Sequence, residues 1–590
     1  MKPRISSLVI TAALLTGSAV SPVAINEVSA KVQQQNVQKA TIIVNGQEKV
    51  VSVISSNKIK LYSIDYLSKI MSAAVKYNNK TKAYEATKKV GNKTMKIEYK
   101  VGSNNAVVNG KKTKLSAPPK MVGKTLFVEA GSFVKSLGGD ILIDKNLLIT
   151  ANSKIKLMEK SLVIDGTSKK VKSLFIDNKQ RYSVQDIAKL FSASTKITNK
   201  DVLVSKKGKT IKLKLSQNNI TINNKAVKLK QNPILVKGTV YADLSDLIKA
   251  FDGDLLTLSN GYFVSTAGLV SGDTYNPQWI NSSTLLVTNE SEQTDSQSLL
   301  LNTTSKKSVF KIDGYDLAVS PNGKQAIYSD ESGKVYLVDL SSKKVKEINH
   351  DDDSAKQEFV WSKDGKSVYF IQGDKSEKIS SISIADGKIM SLFEDKLTSK
   401  SNLRVSSDGK KLLYLVGKEG TTSFTDGEDP DVDQIDLTDT EEQFYLIDLN
   451  AAELAAKPIT TTKDNKVFPD FLSNGDIVYL SADPDSEELP VLKMINGDRT
   501  ATLISNKEII QSLVTPQGKI MTLAAEKNGE SIIYEVNPST KKLTKVAQTK
   551  LKLTSFAVSN DGKSIAAITD GKNGDVVVIY KNGIFESLTK

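Results

Sequence analysis

The stretch Val360-Trp361-Ser362-Lys363-Asp364-Gly365-Lys366-Ser367-Val368-Tyr369-Phe370 reads as an apolar strand, a tight Ser-x-Asp-Gly-Lys turn and a second apolar strand. Asp-Gly tolerates the positive φ of a tight turn, so the stretch predicts a β-hairpin. It recurs as Ala318-Val319-Ser320-Pro321-Asn322-Gly323-Lys324, Val405-Ser406-Ser407-Asp408-Gly409-Lys410, Phe471-Leu472-Ser473-Asn474-Gly475, Leu513-Val514-Thr515-Pro516-Gln517-Gly518-Lys519 and Ala557-Val558-Ser559-Asn560-Asp561-Gly562-Lys563. The turn glycines are spaced by 42, 44, 66, 43 and 44 residues, so one repeat carries an insertion of about two dozen residues. A degenerate copy, Pro277-Gln278-Trp279-Ile280-Asn281-Ser282-Ser283, comes first and puts Trp279 in the phase of Trp361. The copies number seven.

A third strand follows in each copy, as at Val335-Tyr336-Leu337-Val338 and Val576-Val577-Val578-Ile579, and a fourth ends it, as at Val345-Lys346-Glu347-Ile348. Four antiparallel strands per period is the arithmetic of a propeller blade. The expected fold over 269–590 is therefore a seven-bladed β-propeller with an acidic insertion at 417–443. The turn resembles that of the TolB-type propeller repeat, which implies that its Gly and Asp shape a hairpin and do no chemistry.

Residues 31–268 carry a different period. A turn of apolar-(Asn/Asp)-(Gly/Asn) type stands at Val44-Asn45-Gly46, Val108-Asn109-Gly110, Ile164-Asp165-Gly166 and Ile222-Asn223-Asn224, and sixteen or seventeen residues on comes an aromatic, Tyr62, Phe127, Tyr182 or Tyr241. A short helical pattern follows each time: Leu67, Ile70, Met71; Phe133, Val134, Leu137; Ile187, Leu190, Phe191; Leu247, Ile248, Phe251. Ser183 and Asp243 stand where N-caps would. The predicted unit is hairpin, helix, hairpin. Its best stretch runs from Ala106-Val107-Val108-Asn109-Gly110-Lys111 through Ala117-Pro118-Pro119 to Leu137-Gly138-Gly139. This pattern resembles the copper amine oxidase N-terminal-like, or stalk, domain, in two tandem copies near 36–150 and 155–268. The resemblance implies two α+β modules and no copper chemistry, which in those oxidases lies elsewhere and needs several His and a modified Tyr.

The 590 residues include no Cys and one His, His350, which excludes zinc ribbons, disulfide frameworks, Cys nucleophiles and multi-imidazole metal sites. Lys2 and Arg4, an apolar run Leu8–Leu15 and a small-residue Val28-Ser29-Ala30 predict a signal peptide over 1–30. No Cys follows that run, so lipid attachment there is excluded. The expected location is secreted and cell-wall associated, in a Gram-positive envelope, with no transmembrane segment in the mature chain.

Charge separates the two halves. Residues 31–268 hold 42 Lys and Arg against 16 Asp and Glu; residues 269–590 hold 37 against 49. Of the 81 basic residues only Arg4, Arg181, Arg404 and Arg499 are Arg. Lys lacks the planar fork that base readout favours, so a specific nucleic acid is not expected. The expected partner of residues 31–268 is an anionic cell-wall polymer, with the outer face of an anionic membrane, or lysines that only solvate the surface, as the alternatives.

Candidate chemistry is sparse. In the insertion Asp429, Asp431 and Asp433 have the alternating oxygen-rich spacing of a calcium loop, yet Gln434 and Thr440 stand where an EF-hand needs Gly and Glu. A solvated acidic loop is the first reading, calcium binding the alternative, and no other cofactor is expected. His350, beside Asp351, Asp352 and Asp353, reads as a connection histidine or a general base. No Gly-x-Ser-x-Gly elbow occurs, and Gly365-Lys366-Ser367 and Gly562-Lys563-Ser564 lack the upstream Gly of a phosphate loop. The expected function is non-catalytic: a secreted binding or scaffold protein whose propeller takes a protein, peptide or glycan. The alternative is a carbohydrate hydrolase or lyase using carboxylates on the propeller's loop face.

Overall fold

Alternating apolar residues build three antiparallel strands, Gln38–Val44, Gln47–Ser56 and Ile59–Ser63, before the spacing changes and helix α1 (Ile64–Met71) begins. This computed structural model describes residues 36–590 except 45, 199–200, 292–293, 350–351, 418–419, 425–431, 437–439 and 484–486. Beyond α1, five strands from Ala74–Asn78 to Lys111–Lys114 form a sheet of their own. The chain then makes Thr125–Glu129 and helix α2 (Ala130–Ser136), and returns so that Leu147–Thr150 lies parallel to Gln38–Val44. That parallel pair, Ile42 with Leu147, joins the end of the module to its beginning in a seven-stranded sheet. Leu67, Met71, Ile97, Phe133 and Val134 meet in its core.

Residues 156–265 repeat the plan, with helices α3 (Val184–Leu190) and α4 (Leu244–Ala250) and the parallel pair Val163–Phe263. The strand order of both sheets is the same. Ser183 accepts from the Asp186 amide, and Asp243 from the amides of Ser245 and Asp246, as N-caps do. The recurring aromatics divide between two faces. Tyr62 and Tyr182 stand two residues before their helices and enter the main cores, whereas Phe127, three residues before α2, packs in a separate cluster with Ile54, Leu61 and Ala117. Strand side chains alternate, so one extra residue sends the aromatic to the opposite face of the sheet.

Seven four-stranded antiparallel sheets follow: blade 1 over 273–312, blade 2 over 318–347, blade 3 over 356–394, blade 4 over 400–458, blade 5 over 465–504, blade 6 over 508–549 and blade 7 over 553–587. The insertion forms a separate hairpin, Thr421–Phe424 with Val432–Asp436, between the second and third strands of blade 4. Each blade buries its faces against its neighbours, and blade 7 meets blade 1 through Trp279, Leu285 and Leu301 against Ala566, Val577 and Ile579. The chain divides after Lys154 into two compact units, and the second of them holds both the second module and the propeller. Within it Lys307 pairs with Asp165 at 2.8 Å, Lys590 with Asp254 at 2.6 Å, and the Lys306 ammonium lies 5.3 Å from the Phe263 ring centroid.

Three consecutive blades bury an ammonium at the start of the innermost strand. Lys356 donates to the carbonyls of Gly333, Asp352 and Ser354; Lys400 to those of Glu377 and Leu397; Lys466 to those of Thr462 and Asp464. Asp352, Asp395 and Asp464 lie 3.3, 2.7 and 3.3 Å from the same nitrogens, whose side chains are fully buried. Each lysine therefore pins the loop that enters its blade. Removing one takes the shared donor from two or three carbonyls and the counter-charge from a partly buried carboxylate, so Lys400→Met should destabilise the propeller by about 3 kcal/mol in chemical denaturation, against about 0.5 kcal/mol or less for exposed Lys366→Met. Burial raises the Asp464 carboxyl, but bonds from Ser481 and Thr462 and the charges of Lys466 and Lys493 outweigh it and hold the group well below the usual range. A depressed carboxyl stabilises above its unfolded value, about 3.9, and loses that contribution as pH falls toward its folded value. The stability advantage of the protein over Asp464→Asn should accordingly shrink below about pH 4 in acid titrations followed by circular dichroism.

Candidate binding site

The innermost strand of a blade is a sheet edge, and in this ring it is bulged. The ladder skips residues 276–277, 358–359, 402–403 and 468–469, and Asn276, Glu358, Asn402 and Phe468 take φ values of 51, 57, 54 and 53°. A bulge releases backbone groups and re-aims side chains. Here the re-aimed side chains fasten blade to blade. Gln278 donates to the Leu317 carbonyl at 2.6 Å and accepts from the Val319 amide; Glu358 accepts from the Leu403 amide at 2.8 Å; Arg404 donates to the Pro469 carbonyl at 3.0 Å. Asp470 accepts from the Val514 amide at 3.2 Å and Gln511 from the Phe556 amide at 2.7 Å. The remaining two seams use indole N–H groups, Trp361 to the Ala318 carbonyl and Trp279 to the Ala557 carbonyl. Every seam thus has a side chain bound to the neighbouring inner strand. Burial pushes the Asp470 carboxyl up, opposed by the charge of Arg404.

Blade 2 departs from the pattern. Its innermost strand is two residues long, Ala318–Val319, where the others have six to nine. Elsewhere the ladder starts at pairs such as Lys356–Gln372 and Lys400–Val416; in blade 2 it includes only Ala318–Ile327 and Val319–Ala326. The incoming chain instead turns at Asp316, φ 54°, and passes Gly314 over the Tyr328 ring. Two hollows flank this segment. One, of about 870 Å³, reaches across the inner strands of blades 1 to 4 and includes Asn276, Glu358, Asn402 and Arg404 in its wall. The other, of about 660 Å³, lies between blades 1 and 2 beside Asp313, Tyr315 and Tyr328. Asp330 and Glu331 border both.

The electrostatics are specific. Asp330 accepts from the Ser332 and Lys334 amides, the Ser332 hydroxyl and the Tyr336 hydroxyl, the last at 3.0 Å. Burial raises its carboxyl, and these bonds more than reverse the effect and hold it low. The same bond to Asp330, with burial, pushes the Tyr336 hydroxyl up to about 12. Tyr336 stacks on Tyr328 at 5.1 Å, which sets the ring that Gly314 crosses. Asp316 and Glu331 are exposed and make no side-chain hydrogen bond or ion pair with a described residue. The cations nearby are committed, Lys356 to its carbonyls, Arg404 to the Pro469 and Leu403 carbonyls, and Lys311, which borders the smaller hollow, to Asp313 at 3.1 Å. The site therefore offers free carboxylate, aromatic surface and unpaired strand edge.

Asp429, Asp431 and His350 lie outside the described residues, and Asp433 is described only as part of the strand Val432–Asp436. Among the described residues no group of three or more His, Asp or Glu is arranged to hold a metal, and no helix is long and apolar enough to cross a membrane. The truncated strand of blade 2 leaves one trace in sequence: the apolar alternation that precedes the turn in other copies stops at Leu317, behind Asp313-Gly314-Tyr315-Asp316. A Cβ at Gly314 would lie 2.4 Å from the buried Tyr328 ring. Gly314→Ala should lower the propeller's unfolding midpoint by several degrees and change its near-ultraviolet tyrosine circular dichroism, whereas Gly417→Ala, where the added Cβ would meet nothing nearer than Glu442 at 3.5 Å and φ is not positive, should leave the tyrosine signal unchanged.

Residues 43–149 and 163–256 match the family described as Copper amine oxidase N-terminal domain. Curated proteins include no match to the chain. Among solved structures, an oligogalacturonate lyase in complex with manganese is similar over 55% of this chain and 86% of its own, at 12% identity and a TM-score of 0.39. The β-propeller domain of the trilobed protease from Pyrococcus furiosus is similar over 54% of this chain and 98% of its own, at 11% identity and a TM-score of 0.39. A puromycin-hydrolysing peptidase of Mycobacterium tuberculosis is similar over 54% and 53%, at 12% identity and a TM-score of 0.41. Two segments that match the copper amine oxidase N-terminal domain are thus followed by a seven-bladed β-propeller.

Proposed function

We propose that this is a secreted, non-catalytic protein of the cell envelope, whose basic modules hold to anionic wall polymer and whose propeller captures a partner in the hollows at blade 2. The observation that carries the reading is the state of the polar groups in that wall. Glu358, Asp330 and Arg404 are engaged in holding strands and turns, and Asp316 and Glu331 stand apart and exposed, so the site supplies contacts and no activated nucleophile. On the other side of the reading, the edge strands Lys111–Lys114 and Lys225–Lys228 are exposed along their whole length and put lysines at matching places in both modules. Such lysines also keep a sheet edge from pairing with another chain. Their duplication suits a polymer with repeated negative charge.

The leader expected over 1–30 and the absence of Cys support export to a surface where attachment is non-covalent. The test is retention of the mature chain on wall preparations that keep or lack their anionic polymer. Retention should fall steeply between low and about 0.5 M salt, as screening shortens the reach of charge to a few Å. Combining Lys111→Glu, Lys112→Glu, Lys225→Glu and Lys228→Glu should reduce it at least tenfold. Retention that ignores salt and polymer removes the anchoring role, and turnover of a wall glycan by the purified chain replaces the binding role with an enzymatic one.

A further inference from the structure

We propose that the hollow at blade 2 takes an extended peptide segment bearing Lys or Arg side chains, which continues the short inner strand Ala318–Val319 along the open edge of Tyr328 and Ser329. This rests on the reading of the propeller as a binding module and names its ligand. In the other six blades the innermost strand pairs along the second strand as far as positions such as Gln372 and Val416. In blade 2 the pairing covers Ala326 and Ile327 and stops, so Tyr328 and Ser329 have a partner on their outer side, Tyr336 and Val335, and none on the inner side. The incoming residues 313–317 do not substitute for it, since they make no backbone hydrogen bond to Tyr328 or Ser329. An unpaired edge bordering a hollow of about 870 Å³ is the geometry of strand addition, in which main-chain bonds supply affinity and the flanking pockets select side chains.

Charge selects the occupant. Asp316 and Glu331, both exposed and without a described side-chain partner, line the hollow that the open edge borders, and Glu358 keeps one carboxylate oxygen beyond its bond to Leu403. Lys356 and Arg404, the cations of this wall, are committed to backbone carbonyls. Tyr315, 42% exposed, adds an aromatic face at the rim on which a cationic side chain can lie. A strand's side chains alternate, so a segment with every second residue basic would place its cations on the carboxylate side and its other residues toward Tyr328.

The test is fluorescence anisotropy of the full mature chain with a labelled Lys-Val-Lys-Val-Lys-Val-Lys peptide. Three further probes are the same peptide N-methylated at alternate amides, a Glu-for-Lys counterpart and a neutral chitin oligosaccharide as competitor. The expected results are saturable binding of the first, at least tenfold weaker binding of the N-methylated and Glu peptides, and no competition by the oligosaccharide. Combining Asp316→Asn, which keeps a residue suited to φ 54°, with Glu331→Gln should weaken binding at least tenfold while leaving the unfolding midpoint unchanged. Equal binding of the N-methylated peptide would reduce the effect to charge attraction and overturn strand addition. Unchanged binding by the double variant would move the site elsewhere, and competition by the oligosaccharide would make the hollow a glycan site. A chain retained on walls but silent toward the peptide would sink this inference and leave the envelope-binding reading standing.

Discussion

A ring of separate sheets has to be fastened at every seam, and here all four strands of each blade come from one continuous segment. Among the described residues no strand is exchanged between the two ends of the ring. Apolar packing alone would leave the inner strands free to slide, because the hydrophobic effect is not directional. The direction comes from side chains that reach one blade over: Gln278, Glu358, Arg404, Asp470 and Gln511 forward, Trp279 and Trp361 backward. These bonds tie to backbone groups that the bulges and strand edges leave unpaired, so satisfying buried polarity and setting the blade angle are one event.

The buried lysines serve the same end from the rim. An ammonium with three or four oxygens around it holds an entering loop closed, and it does so in blades 3, 4 and 5, next to the blade whose inner strand is short. Blade 2 can be open because its neighbours are not. Asp330 and the Tyr328–Tyr336 stack then keep the opening in one shape, with Gly314 as the crossing point. A rigid wall with one unpaired edge is well suited to capture, since little ordering is left for a ligand to supply.

The charge division of the chain takes on a different meaning at the joint between the second module and the propeller. The basic module contributes its carboxylates, Asp165 and Asp254, and the acidic propeller its lysines, Lys307 and Lys590. Each body spends its minority charge on the internal contact. The majority charges are left for the outside, which is why net charge speaks about partners and says nothing of the fold.

Much of the architecture was legible in one dimension. The Ser-x-Asp-Gly-Lys period counted seven blades, Trp279 and Trp361 proved to be equivalent hydrogen-bond donors, and Ser183 and Asp243 cap the helices their positions suggested. These features are local: a turn, a cap or an alternation is decided within a few residues. Phe127 was harder, because a one-residue offset before a helix turns a side chain to the other face while leaving the pattern almost unchanged. Of the candidate site only the break in alternation behind Asp313-Gly314-Tyr315-Asp316 showed in the sequence. Lys356, Lys400 and Lys466 look like ordinary surface lysines until three loops fold over them. The open edge at Tyr328 and Ser329 exists only because a partner strand in the preceding segment stops short, and an absence in another segment leaves no pattern in the residues that it exposes.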